Sequence, residues 1–149
     1  MSLQERVQSD IAAAMRSGDS LRRDVLRMVA SAAYNVEKRQ GRPLSDAEYL
    51  DVLAREVKSR RESVEAFRNG GREDLASKEA AEIEIISGYL PQQLSDIEAG
   101  SIIQAIVHEI NAQTMKDMGR VMATLKERYA GKLDFSKASA AVKKALSGG

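Results

Sequence analysis

The chain has 149 residues with 23 Lys/Arg against 22 Asp/Glu, a formal net charge of +1, few aromatics, and neither cysteine nor tryptophan. Its length suits one domain, or a helical unit with a small second one. The composition excludes a disulfide framework, a thiol nucleophile and a thiolate metal site, and no apolar run is long enough to span a bilayer.

Helix starts are written in capping boxes, where a Ser or Thr hydroxyl and a Glu or Asp carboxylate three residues on satisfy orphan backbone donors. Ser2 and Glu5 open the first helix, with Leu3, Val7, Ile11 and Met15 on one face until Gly18. The second begins near Ser20, turns Leu21, Val25, Val29, Ala32, Ala33 and Val36 inward, and stops before Gly41 and Pro43. Ser45 and Glu48 frame the third, carrying Leu50, Leu53, Val57 and Val64 to the break at Gly70 and Gly71. A fourth, over roughly 73–87, presents Leu75, Ile83 and Ile86 and ends at "GYLPQQLS", where Pro91 restricts Leu90 and marks a boundary.

Ser95 and Glu98 box in a fifth helix with Ile102, Ile103, Ile106 and Ile110. Thr114 and Asp117 start a sixth, with Met118, Val121, Met122, Leu125 and Tyr129 inward; Gly131 ends it. Asp134 caps a short last helix through Leu146. No stretch alternates with period two for long enough to make a strand. The expected fold is all-α, with an N-terminal helical domain over 1–90 and a small C-terminal domain over 91–149.

The near-neutral total hides a segmental pattern. Residues 1–72 carry +3, residues 73–109 carry −7 and residues 110–149 carry +5. The basic tail can meet the acidic middle or a polyanion. The opening "MSLQERVQSD" lacks the apolar core of a signal peptide, so a cytoplasmic protein with no membrane partner is expected.

Catalysis needs titratable groups held close together. The single histidine, His108, lies opposite Ile102, Ile106 and Ile110 and is expected at the surface. Glu79, Glu82 and Glu84 read as a solvated or ion-paired face rather than a metal site, and no Walker-type phosphate loop is present. The residues offer no catalytic constellation, metal site or cofactor site.

Two constellations point to binding. On the third helix Arg61 and Arg68 fall in the stripe of Leu50, Val57 and Val64, and Arg60 lies at its margin near Leu53 and Phe67. Guanidiniums on an apolar stripe require compensation. They are either ion-paired to Glu79, Glu82 or Glu84, or they line a cleft for phosphate or carboxylate. On the sixth helix Lys116 and Arg120 share the face opposite Met118 and Leu125, with Gly119 on the flank one turn before Ala123. A helix-interior glycine costs roughly 1 kcal/mol relative to alanine. It permits close approach of either a neighbouring helix or a nucleic-acid backbone, which free first-turn N–H groups would favour. Lys126, Arg128 and Lys132, with Lys143 and Lys144 beyond, would widen such a patch. No aromatics are interleaved there, which suits recognition of a folded RNA by backbone and shape.

The ordered set "VLRMVASA", "VLAREVKSRRESVEAF", "GREDL", "GYLPQQLS" and "KDMGRVM" resembles the GatB/YqeY family over about Leu3 to Leu146. Lys116, Asp117, Met118, Gly119 and Arg120 match its "KDMG" motif and the following base. Arg61, Arg72, Glu73 and Asp74 fall in its arginine-rich and "GRED" motifs. The resemblance implies a helical N-terminal part followed by a small three-helix domain similar to the tail of the B subunit of the glutamine-dependent Asp/Glu-tRNA amidotransferase. That tail helps engage tRNA, whereas amide transfer from glutamine, a carbon–nitrogen ligation, belongs to a larger domain absent from this sequence. The implied function is a tRNA-associated accessory module. A helical protein–protein scaffold and a non-catalytic component of an amidotransferase complex are the alternatives.

Overall fold

The computed structural model describes residues 1–147. Gly148 and Gly149, the end of the second expected domain, lie outside the described residues. The chain is all-α among the described residues and divides into two compact units, Met1–Leu90 and Pro91–Gly149.

The first unit contains α1 (Leu3–Ser17), α2 (Ser20–Gln40), α3 (Asp46–Asn69) and α4 (Glu73–Ser87). Capping boxes at Ser2/Glu5 and Ser45/Glu48 start α1 and α3, and Asp19 caps α2 through the Arg22 N–H. Gly18 and Gly41 end α1 and α2 with φ of 76° and 72°, the left-handed cap that glycine adopts without a Cβ clash. Connections as short as 18–19 and 70–72 make hairpins of α1 with α2 and of α3 with α4. Val7, Val25, Leu26, Val29, Leu53 and Ile86 are at most 1% exposed and form the centre of the core. Full burial contributes roughly 1.5–3 kcal/mol for each such side chain. The segment after α4 is tied to α1: the Tyr89 hydroxyl donates to Asp10, and the Arg6 guanidinium stands 4.7 Å from the centre of the Tyr89 ring.

Two expected inward residues face out, Met15 and Leu21. A four-residue step overshoots the 3.6-residue turn, so a stripe extended by fours rotates away from the core. Ala14 takes the buried place instead of Met15.

The second unit contains α5 (Asp96–Glu109), a 3-10 turn (Met115–Asp117), α6 (Met118–Tyr129) and α7 (Phe135–Leu146). Ile103, Ile106, Val121, Leu125, Val142 and Leu146 meet at its core. Asn111, with φ 55°, turns the chain after α5 in a conformation that asparagine tolerates among non-glycine residues. The lead-in segment is stitched to the α6–α7 turn by the Leu94 N–H on the Lys132 carbonyl at 2.9 Å and by the Gln93 amide on the Gly131 carbonyl.

Candidate nucleic-acid interface

The start of α6 is organised by one carboxylate. Asp117 accepts from the backbone N–H of Gln113 at 2.8 Å and of Thr114 at 3.2 Å, and from the Arg120 guanidinium at 2.7 Å. The Gln113 N–H, then Arg120, then the Thr114 N–H pull its carboxyl down to about 2. Thr114 closes the box by accepting from the Lys116 N–H. The N–H of Asp117 reaches the Thr114 carbonyl, and that of Met118 the Met115 carbonyl. These first-turn donors are therefore engaged, which corrects the expectation of free N–H groups for phosphate. What the turn presents outward is its side chains.

Val121 and Leu125 are fully buried and fix the rotation of α6. Lys116, Gly119, Arg120 and Lys126 consequently stand on the exposed face. Apart from the helix's own backbone, a Cβ added to Gly119 would meet no heavy atom within 4 Å. The neighbouring-helix explanation of this glycine is thereby removed, because no other part of its unit approaches it. Arg128 forms a two-pronged pair with Glu109 at 2.7 and 2.9 Å. The pairing lowers the Glu109 carboxyl and raises Arg128. Lys132 is half-buried in the turn after α6. Lys116 and Lys126 have no ion pair among the described residues. The Arg128–Glu109 pair is solvent-exposed, whereas the exposed Arg120 rests on a half-buried Asp117 and also donates to the Ile110 carbonyl at 3.4 Å. An exposed pair contributes only about 0–1 kcal/mol, so an incoming phosphate can compete most readily for Arg128.

The three arginines of α3 have three different surroundings. Arg60 is buried, 6% exposed, and its Nε lies 3.3 Å from an oxygen of Glu82, which is equally buried. Its other nitrogens reach the Glu56 carbonyl at 3.2 Å, the Glu56 carboxylate at 3.5 Å and the Met28 sulfur at 3.8 Å. Arg68 is exposed and forks onto Glu73, the first residue of α4. Arg61 is exposed with no ion pair among the described residues. They do not line a common cleft. The apolar line of α3 through Tyr49, Leu53 and Val57 is covered within its own unit, while Arg61 and Arg68 point to solvent. Arg72 pairs with Asp74 within the "GRED" segment, and His108 is exposed. Among the described residues no group of three or more His, Cys, Asp or Glu converges as a metal ion requires, and no helix is long and apolar enough to cross a membrane.

The profile of the family described as Yqey-like protein matches residues 4–146. The chain is similar to the protein named "altered inheritance of mitochondria protein 41, mitochondrial" in several fungi. The Pyrenophora tritici-repentis protein is 27% identical over 128 residues, covering 83% of this chain and 71% of its own. The Lachancea thermotolerans protein is 34% identical over 87 residues, 58% of this chain and 46% of its own. For the Eremothecium gossypii protein the identity is 28% over 110 residues, 71% of this chain and 60% of its own. The chain thus spans less than two thirds of the latter two relatives. Their names correct the expected cytoplasmic location, since these relatives are named as mitochondrial. The expectation rested on the lack of an apolar signal core in the opening residues, which does not choose among aqueous compartments.

Proposed function

This chain belongs to the Yqey-like family, and on that premise we propose that it is an accessory module that binds folded RNA of the tRNA class. The reading assigns it no amide-transfer chemistry of its own and relates it to the amidotransferase through the RNA-engaging tail. The contact face is the outward side of α6 and its flanking turns, with Lys116, Arg120 and Lys126 as phosphate contacts, widened by Arg128 at the α5 side and Lys132 in the turn after the helix.

The observation that carries this reading is Gly119. A glycine inside a helix lowers stability, and here the fold supplies no neighbour that needs the space. Flanked by Lys116 and Arg120, the bare backbone suits a close-lying polyanion. Recognition would run through phosphates and overall shape, as expected for a folded RNA whose deep groove side chains cannot read.

The test is the affinity of the Lys116→Ala/Arg120→Ala double variant for bulk tRNA. Two lost phosphate contacts reduce the slope of log K against log salt by roughly two, with helicity unchanged by circular dichroism. Unaltered affinity and slope would take this patch out of consideration.

A further inference from the structure

Between α1 and α2 lies an open groove of about 560 Å³, within the size range of ligand sites. Ile11 contributes to it from α1, and its polar lining comes from Gln8, Arg27, Ser31, Tyr34 and Asn35. We infer that this groove takes an unpaired nucleotide of a bound RNA, with Tyr34 as the stacking face and Arg27 as the phosphate or base-plane contact. The inference rests on the RNA-binding reading and adds a second, base-directed contact surface on the other unit.

Several independent features converge on this occupant. Tyr34 is 61% exposed, an unusual placement for one of only six aromatic residues in the chain. Arg27 lies two helical turns before it on the same face. The Arg27 guanidinium donates to the Met15 sulfur at 3.3 Å and has no ion pair among the described residues. A thioether is a weak acceptor, and Arg27 lies within electrostatic reach of Asp24 without pairing with it. The nearby carboxylate of Asp24 is engaged by Arg23 at 2.9 Å. Gln8 and Asn35 each offer an amide donor and acceptor, the pattern that reads base edges, and Ser31 adds a hydroxyl. Splayed bases of single-stranded loops are recognised by this combination of an aromatic or guanidinium plane with amide groups. A docked amphipathic helix would instead call for apolar walls, whereas the polar side chains here outnumber Ile11 and Ala30.

The chain has no tryptophan, so Tyr34→Trp introduces a single tryptophan, excited selectively over the remaining tyrosines, at the proposed stacking face. The probes are a hairpin RNA with an unpaired loop and a blunt duplex RNA of the same stem, with wild-type binding followed in parallel by anisotropy. The expected result is quenching by the hairpin and not by the duplex. Tyr34→Ala then weakens hairpin binding roughly five-fold or more, as the loss of one stacked base requires, while Tyr34→Phe restores it. Hairpin binding by the wild type, with no quenching and no effect of Tyr34→Ala, would overturn the inference and leave the α6 reading standing. Absence of wild-type binding to either RNA would remove both. Emission that changes with protein concentration alone would assign the groove to a second copy of the chain and would also overturn it.

Discussion

Replacing Gly119 by alanine separates a structural role from a binding role, because the two predict opposite signs in two assays. Gly119 lies in α6 outside the left-handed region, so alanine meets no backbone strain. Its added methyl meets no heavy atom within 4 Å beyond the helix's own backbone. The helix therefore gains up to about 1 kcal/mol. For a unit the size of Pro91–Gly149 that corresponds to a rise in Tm of roughly 4–8 °C. Slower amide exchange along α6 and calorimetry of the full chain would register it. A phosphate backbone lying against the bare glycine is instead displaced by the methyl. Overfilling a close contact costs about 1–3 kcal/mol, so tRNA affinity falls roughly five-fold or more. A stability gain with unchanged affinity would refute the contact. A loss of stability would refute the open surroundings of Gly119 from which the contact is reasoned.

Other outcomes follow from the same geometry. Glu82→Ala strands the buried Arg60 guanidinium with only the more distant Glu56 carboxylate, and costs about 3 kcal/mol or more in urea unfolding. The Arg60→Met/Glu82→Leu pair is expected to recover most of that loss, since an apolar pair removes both buried charges. The Asp117 carboxyl is held at about 2, below the roughly 3.9 of an unfolded aspartate. Its contribution is complete above the unfolded value and disappears as pH falls through the folded one, so the second unit loses stability between about pH 4 and pH 2. Asp117→Asn flattens that part of the pH–stability profile measured by thermal melts; an unchanged profile would assign the acid sensitivity to other carboxylates.

Much of the fold was legible because helix ends carry local chemistry. The pairs Ser2/Glu5, Ser45/Glu48, Ser95/Glu98 and Thr114/Asp117 all form capping boxes. The last of them opens on a 3-10 turn rather than directly on α6, a distinction of hydrogen-bond register that side-chain identity does not encode. The facing of α3 was harder to see. Its buried line runs through Tyr49, Leu53, Val57 and Arg60, so Val57 is an edge rather than the centre. Arg61, about 100° further round the helix than Arg60, falls outside. That rotation is set by the helices against which α3 packs, and only the fold reveals it. The same limit applied to Glu82: three glutamates of α4 were candidate partners for the arginines, and the helix pairing selected one.

At the candidate interface, residue type and helical spacing were enough to turn Lys116 and Arg120 outward with Gly119 on their flank, and all three are exposed. They could not show that Asp117 engages Arg120, or that Arg128 reaches back to Glu109 across 19 positions. The α1–α2 groove was missed for a related reason. Arg27, Ser31 and Tyr34 share one side of α2, but Gln8 and Ile11 join them only through the hairpin.

The most direct test of RNA binding is fluorescence anisotropy of the purified chain with bulk tRNA, against duplex DNA, over several salt concentrations. The expected result is a preference for tRNA and a fall in affinity with salt whose slope corresponds to roughly two to five phosphate contacts. No binding to tRNA at low salt, or equal binding to tRNA and duplex DNA, would contradict it.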